Sequence, residues 1–281
     1  MSNELAELHS DFQNRITGDK SWKELISWIG DLPPLPHVAA QALSLIENPD
    51  APSNKITELL GGDPALAARV LKIANSAFFS RPREITMIGQ AVTMIGTQGL
   101  KGIIVAATLR QLSRKFGKVE QMLWENSTCT AFGARLIATK MHKPYVEEVF
   151  LLGLLHDLGK LVLLGQVPKE YGQIIELAAQ GKLFYVAENE KFGFAHPLLG
   201  AIVAKEWNFS IDTCQIILKH HDQLPEGPLD LQGEKIAIIQ AADSAAHAIG
   251  RGHPDGYPDF KEQAIASLNR LGFDESSATV I

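Results

Sequence analysis

The sequence lacks the features that mark secreted or disulfide-bonded proteins. Only two cysteines occur among its 281 residues, Cys129 and Cys214, and no CxxC motif is present. This scarcity excludes a disulfide framework and a cysteine-based zinc motif, and it suits a reducing compartment. Residues 1–20 are polar and contain no apolar core of a signal peptide. The sequence therefore predicts a cytoplasmic protein with no targeting or membrane segment.

Runs of lysine and arginine are also absent, and the formal net charge is −6. General nucleic-acid binders neutralise phosphates with a basic surface, so we expect no nucleic-acid partner. Apolar residues make up 46% of the chain and charged residues 21%. This composition is ordinary for a globular protein and supplies enough apolar surface for a sizeable core.

Strand-like alternation is missing, whereas apolar residues recur at helical spacing almost throughout. Local signals fix several helix ends: Asp63 before Pro64 predicts a start, Ser210 a cap, and Gly96 a break. We therefore predict an all-α protein. Its expected segments are a polar N-terminal segment at 1–20, an N-terminal helical lobe at 21–118 and a second helical lobe at 119–281. The second lobe is expected to end in a C-terminal helix and tail.

The most apolar stretch, residues 150–165, contains three ionisable side chains, His156, Asp157 and Lys160. Leucine and valine surround them on every side of a helical wheel, which predicts a single buried central helix. The stretch is too short and too polar to span a membrane. Because an unpaired buried charge is costly, the adjacent histidine and aspartate are the strongest functional candidates in the chain.

Further candidate residues occur on the helices predicted after this stretch: His196, His220, His221 and Asp243. Imidazole and carboxylate groups together suit iron, manganese, zinc or nickel, so a divalent transition-metal site is one interpretation. The alternative is structural. A closed hydrogen-bond network in which His156 or Lys160 neutralises Asp157 would also explain the buried pair, and single histidines near helix ends are often caps.

Several motifs in a fixed order resemble the HDOD branch (HD-related output domain) of the HD superfamily. Three segments resemble its N-terminal half: LPPLPHVAAQAL, DPALAARVLKIANSAFF and ITMIGQAVTMIG. Three more resemble its second half: GLLHDLGKLVL, AHPLLGAIVAKEW and ILKHHD. The resemblance extends over about residues 25–250, and the ordered set is more specific than one motif. It implies an all-α fold in which a helical N-terminal lobe packs on an HD-like lobe.

The resemblance also implies roles for individual residues. His156 and Asp157 match the dyad that ligates metal in catalytic relatives, and Lys160 matches a lysine that approaches the substrate phosphate in some of them. The remaining matches are His196 and His220 or His221, used when a second metal binds, and the closing aspartate Asp243. If the protein is active, Asp157 and Lys160 are the expected catalytic residues.

One position departs from the catalytic pattern. Catalytic relatives place a histidine in a WxHS context, where this chain has Asn126 in WENS. An amide oxygen is a weaker ligand for a transition metal than imidazole. We therefore expect a non-catalytic or weakly active signal-transduction module that binds a partner protein or a small nucleotide-like ligand and retains a metal. The alternative is a metal-dependent phosphohydrolase acting on a nucleotide or cyclic dinucleotide.

Two other segments have competing interpretations. NSAFF, at residues 75–79, is a candidate contact surface for a partner, although Phe78 and Phe79 are more typical of a core. HPDGYP, at residues 253–258, contains the GYP tripeptide of a cyclic-dinucleotide phosphodiesterase family. That family has it directly after the double histidine, whereas here it follows Asp243, so we interpret it as ordinary turn sequence.

Overall fold

A computed structural model of the chain describes residues 3–17, 21–29, 35–48, 50–75, 85–112 and 117–274. These residues form helices and connecting turns with no strand among them, so the prediction of an all-α fold is confirmed. Most of the NSAFF segment, residues 76–79, lies outside the described residues.

The helices are, in chain order, α1 (Asn3–Asn14), α2 (Trp22–Ile29), α3 (His37–Glu47), α4 (Ser53–Gly61), α5 (Pro64–Ala74), α6 (Ile88–Leu112), α7 (Lys118–Lys140), α8 (Val146–Leu155), α9 (Leu158–Gln166), α10 (Pro168–Ala179), α11 (Phe184–Phe192), α12 (His196–Glu206), α13 (Ile211–Lys219), α14 (Leu231–Ala248) and α15 (Lys261–Arg270).

Internal contacts divide the chain into two compact units. The inserted unit comprises residues 34–114, and the main unit comprises residues 1–33 and 115–281. In this division α2 belongs to the main unit, and the segments predicted at 1–20, 21–118 and 119–281 stay predictions. In the main unit Phe12 of α1 packs edge-on against Trp22 of α2, and α1 in turn contacts α13.

The inserted unit is built from α3, α4, α5 and α6. As its sequence predicts, Asp63 caps α5 by accepting hydrogen bonds from the backbone of Ala65 and Leu66. The predicted break at Gly96 is also present, as a kink inside α6 where this glycine has φ +82°. Such a positive φ is costly for any residue with a Cβ atom, which explains glycine there.

By length and composition alone, α6 could cross a membrane over Ile88–Leu109, the one such helix among the described residues. Of that window, 56% is buried inside the fold. It packs against α3, α4 and α5 and contributes fully buried side chains such as Leu100 and Ile103. We describe α6 as the core helix of the inserted unit.

The core of the main unit lies where α7, α8 and α14 pack together, with α15 against α14 and α12 between α9 and α13. Glycines permit the closest approaches. A Cβ atom at Gly153 of α8 would lie 2.5 Å from the Cα atom of Ala131 in α7. One at Gly159 of α9 would lie 2.1 Å from the backbone oxygen of His196. The backbones of α9 and α12 therefore meet directly at the start of α12.

The prediction of one continuous helix over residues 150–165 is wrong. The structure has two helices, α8 and α9, because the backbone leaves helical geometry at Asp157 (φ −99°, ψ 13°). The apolar pattern continues through this break, so hydrophobic periodicity alone could not reveal it. The break places His156 and Asp157 at the junction of two buried helices.

Candidate metal centre

The structure brings the predicted site residues together within the main unit. His156 ends α8, Asp157 precedes α9, His196 begins α12 and His220 follows α13. Asp243 lies within α14. Four separate regions of the sequence thus converge on one buried location.

The first group of candidate ligands consists of Asp157, His196, His220 and His221, whose ligand atoms all lie within 4.8 Å of one another. The Nε2 atom of His196 is central. It lies 3.1 Å from Asp157 Oδ1, 3.4 Å from His220 Nε2 and 3.2 Å from His221 Nε2. Three of these residues are buried and His221 is partly buried.

The second group consists of His156, Asp157 and Asp243, all of them buried. His156 Nε2 lies 3.5 Å from Asp157 Oδ2 and 3.4 Å from Asp243 Oδ1. Asp157 is therefore common to both groups. A carboxylate shared in this way is typical of sites that hold two neighbouring ions.

Backbone and carboxylate partners fix the orientation of the imidazole rings. The Nδ1 atoms of His156 and His220 donate to the carbonyl oxygens of Gly153 and Ile217, both at 2.7 Å. Because Nδ1 holds the proton, the Nε2 atoms that face the site are left with lone pairs in the neutral rings. Outer partners of this kind orient ligand histidines in metal sites.

Asp157 and Lys160 form a buried ion pair, with Oδ2 and Nζ 2.7 Å apart. Burial opposes both charges. The neighbouring His156 and Lys160 nevertheless hold the pKa of Asp157 well below its usual value, and Asp157 raises the pKa of Lys160. Lys160 Nζ also lies 4.7 Å from the centroid of the Phe184 ring. This ammonium group is charged and held in place.

Burial, reinforced by the charges of neighbouring histidines, lowers the pKa of His220 to about 3. Burial and His220 likewise lower the pKa of His221 well below its usual value. Burial also acts on His156 and His196, but the carboxylates of Asp157 and Glu188 outweigh it and raise their pKa values. The pair at 220 and 221 is therefore neutral at pH 7 and offers lone pairs to a cation.

Three buried polar atoms at the site have no hydrogen-bond partner: His156 Nε2, Asp157 Oδ1 and Asn126 Oδ1. The Oδ1 atom of Asp157 approaches two histidines without forming a hydrogen bond to either. Unsatisfied buried donors and acceptors are uncommon, because each costs about 1–3 kcal/mol. A bound cation would satisfy such lone pairs, so the donor set fits a metal ion.

The spacing of the nitrogen atoms also fits. Two imidazole nitrogens bound tetrahedrally at about 2.1 Å from one zinc ion are about 3.4 Å apart. The Nε2 atom of His196 lies 3.4 Å from that of His220 and 3.2 Å from that of His221. Three nitrogens and one carboxylate oxygen are ligand types that zinc, iron, manganese and nickel accept.

Asn126, the residue that departs from the catalytic pattern, is completely buried on α7. Its Nδ2 atom donates a 3.0 Å hydrogen bond to Asp243 Oδ1. Gly252, at φ +82°, packs tightly against Asn126. A Cβ atom added at Gly252 would lie 2.1 Å from the Cβ atom of Asn126. The amide thus engages the same Asp243 oxygen that faces His156, which weakens the second group as a cation site.

Sequence reasoning missed two residues that hold the site in place. Glu188, completely buried, accepts from His196 Nδ1 at 2.6 Å and from the Tyr171 hydroxyl at 2.9 Å. No local pattern distinguishes this glutamate from a surface residue on α11. His247, with Nε2 3.5 Å from Asp243 Oδ1, could have been found, because it lies four residues after that aspartate on one helix face.

The HPDGYP segment forms turns, as predicted, with positive φ at Gly256. Its tyrosine nevertheless reaches the site, which sequence reasoning missed. Tyr257 lines a pocket of about 580 Å³ beside the candidate ligands, together with Lys160 and His221. Burial raises the pKa of Tyr257 to about 12, so its hydroxyl stays protonated.

The fold and site define an all-α protein with a histidine–aspartate centre of the HD type. The profile of the HDOD domain family matches residues 32–223, and the chain belongs to this family. A crystal structure of an HDOD domain protein of unknown function from Geobacter sulfurreducens is similar, with 26% identity and a TM-score of 0.74. The similarity covers 98% of this chain and 92% of that one.

Two further relatives extend the comparison. A Shewanella amazonensis protein, provisionally named a phosphohydrolase, has 23% identity and a TM-score of 0.66, covering 91% of this chain and 88% of that one. At that identity the likeness concerns the fold alone. An uncharacterized protein of Treponema pallidum is 27% identical over 202 residues, which are 71% of this chain. The chain spans only 39% of the length of that relative.

Proposed function

We propose that this chain is an HDOD regulatory module of signal transduction. It holds one divalent transition-metal ion and binds a partner protein or a small nucleotide-like ligand without efficient turnover. The expected ligands of the ion are Asp157, His196, His220 and His221. The observation behind this proposal is a cluster of three imidazole Nε2 atoms, two of which lie 3.1 and 3.8 Å from the unsatisfied Oδ1 atom of Asp157.

Asn126 supports the choice of one ion and low activity. It donates to Asp243 and leaves the second group without a further strong ligand on α7. The first group needs no contribution from α7. We therefore assign the ion to the first group, Asp157, His196, His220 and His221, with iron, manganese, zinc or nickel as candidates.

A second candidate function, metal-dependent phosphohydrolase, is favoured by one observation: Asp157 belongs to both ligand groups. A divalent ion supplies Lewis acidity to a phosphoryl group. In this function Lys160, held by Asp157 and facing the pocket, would offset the charge of a nucleotide or cyclic-dinucleotide phosphate. Lys160 and Asp157 would then be the catalytic residues.

Elemental analysis of protein purified without chelator tests the proposal. We expect about one transition-metal ion per chain and its loss in His196→Ala, because this residue faces all other members of the first group. His253→Ala is the matched control. That histidine hydrogen-bonds only to backbone oxygens and belongs to neither group, so the metal content should not change. Equal metal content in both variants would contradict the assignment.

Turnover separates the two functions. The regulatory module is expected to leave a nitrophenyl phosphodiester essentially intact with manganese, iron, zinc or nickel present. Hydrolysis that disappears in Asp157→Ala would establish the phosphohydrolase instead. We also propose a cytoplasmic location, supported by Cys129 and Cys214, both of which are free thiols.

A further inference from the structure

The pocket beside the candidate metal centre has two chemically different ends. At one end it is lined by residues of the centre, among them Lys160, His221 and Asp243. At the other end it is lined by the last turns of α15, through Ser267 and Arg270. A volume of about 580 Å³ suits a small organic ligand and is far more than a single inorganic anion needs.

Aromatic side chains occupy much of the wall between these ends. Tyr257 and Phe260 stack with their ring centroids 5.5 Å apart and an interplanar angle of 12°. On α11, Tyr185 stacks on His221 at 4.7 Å. Flat aromatic faces of this kind favour a ligand that itself contains a flat ring.

Polar groups of the wall include amides, hydroxyls, cations and carboxylates, and two of the carboxylates already have partners, Asp222 in Arg15 and Asp243 in Asn126. The amides of Gln223, Gln240 and Gln263 line the pocket and can both donate and accept hydrogen bonds. Lys160 supplies a positive charge at the metal end. Arg270 lies at the far end, where its guanidinium donates to the backbone oxygen of Pro225 and so links α15 to the loop after α13.

Most of this wall comes from outside the region that defines the family. The family profile ends at residue 223, whereas Tyr257, Phe260 and all of α15 follow it. Ligand contacts at the far end of the pocket therefore come from residues outside the region that the family profile matches.

We propose that Phe260 and α15 form the specificity-determining wall of this pocket, which binds a small phosphate ester carrying a flat ring. Its anionic group lies towards Lys160, and its ring lies beside Tyr257 and Phe260. The inference rests on the proposed function in one respect, that the pocket beside the metal centre is the ligand site.

Calorimetric titration of the manganese-loaded full chain tests this class of ligand. The ligands to compare are adenosine 5′-monophosphate, phenyl phosphate, adenosine and inorganic phosphate. We expect at least one ring-bearing ester to bind at least tenfold more tightly than inorganic phosphate and than adenosine, since only the ester engages both ends. Equal affinities for the esters and inorganic phosphate, or no binding of either, would overturn the proposal.

Ser267→Phe fills the far end of the pocket without touching the candidate ligands, and we expect it to weaken ester binding at least tenfold. Asn269→Phe is the matched control, because this exposed residue lies on the same helix outside the pocket. Gln263→Trp, at an exposed lining position, provides a second blocking variant if Ser267→Phe fails to fold. Equal ester affinity in the blocking and control variants would place the ligand elsewhere.

Metal content, measured on the same samples, distinguishes this inference from the proposed function. Ester preference in a chain that binds no metal would support the pocket and contradict the metal-binding module. Metal binding without ester preference would support the metal-binding module and contradict the proposed ligand pocket.

Discussion

At the residue scale, the candidate centre depends on a carboxylate that binds no ion itself. Glu188 Oε2 accepts from both the backbone N–H and the Nδ1 atom of His196, at 2.7 and 2.6 Å. It therefore fixes which nitrogen of the ring faces Asp157, and its charge increases the basicity of that ring. This glutamate is completely buried, so its position is set by these contacts rather than by solvent.

The substitution Glu188→Gln keeps the shape of this side chain and removes its charge. We expect it to weaken metal binding about 10–100-fold, the usual effect of losing an outer carboxylate. Competition with a coloured chelator measures the affinity. Tyr171→Phe is the control: it removes the hydrogen bond to the other oxygen of Glu188 and leaves both bonds to His196. An unchanged affinity in Glu188→Gln would show that the glutamate only fills space.

A second residue-scale prediction concerns Glu234, which accepts from Lys143 Nζ at 2.6 Å and from the Tyr145 hydroxyl. Burial opposes its charge, but these two donors outweigh burial and lower the pKa of the carboxyl. The ionised carboxylate then stabilises the fold above the unfolded-state pKa of about 4.3. That contribution is lost as the pH falls through the lower, folded-state pKa.

Glu234→Gln should therefore lower Tm at pH 7, and its difference from the parent protein should shrink as the pH approaches 3. Thermal melts at several pH values measure this difference. Since the group is partly exposed, we expect a modest effect. Glu262→Gln, at an exposed position on α15, serves as the control. A difference from the parent protein that is independent of pH would contradict the assigned pKa.

At the scale of elements, the approach of α9 to α12 positions the centre, because α9 follows Asp157 and α12 begins with His196. The contact requires Gly159, where a Cβ atom would lie 2.1 Å from the His196 backbone oxygen and 2.9 Å from the Gly200 nitrogen. Neither is the end of a flexible side chain, so neither can move without shifting a helix.

Gly159→Ala should accordingly lower the free energy of unfolding by about 3 kcal/mol or more and reduce metal affinity. The same helix provides a matched control. Nothing lies within 4 Å of a Cβ atom at Gly165, so Gly165→Ala should be neutral or stabilise by up to about 1 kcal/mol. Denaturant titration measures both. Equal effects of the two substitutions would show that helix propensity, not the close contact, determines the result.

Sequence reasoning predicted the elements whose signals are local. The cap at Asp63, the break at Gly96 and the cap at Ser210, which accepts from the Thr213 backbone, are all present. It failed where tertiary contacts decide. The break at Asp157 interrupts a continuous apolar pattern, and Glu188 acquires its role only when α11 packs beside the start of α12.

The candidate site was likewise predicted only in part. The resemblance to the HDOD family indicated which histidines and aspartates to compare, and the structure places them together. No pattern of residues indicated that Asn126 donates to Asp243 or that Tyr257 lines the pocket. Asn126 and Asp243 are more than 95 residues apart in the sequence, and so are Tyr257 and Lys160, which line the same pocket. Such separations are beyond the range of any periodic pattern.

At the scale of the whole molecule, the candidate metal centre and every tryptophan belong to the main unit. The tryptophans are Trp22, Trp28, Trp124 and Trp207. The inserted unit, residues 34–114, contains none, so tryptophan fluorescence reports the unfolding of the main unit alone. Far-UV circular dichroism, in contrast, reports helices in both units.

A metal ion that binds only the folded main unit should raise the midpoint of the fluorescence transition. At an ion concentration about 100 times Kd, the stabilisation is about 2.7 kcal/mol. The ion has no ligand set among the described residues of the inserted unit, so it should stabilise the main unit alone. The dichroism curve, which reports both units, should therefore broaden or split. His196→Ala should abolish both changes. A fluorescence midpoint that does not respond to manganese, iron, zinc or nickel would exclude a metal centre formed by the folded main unit.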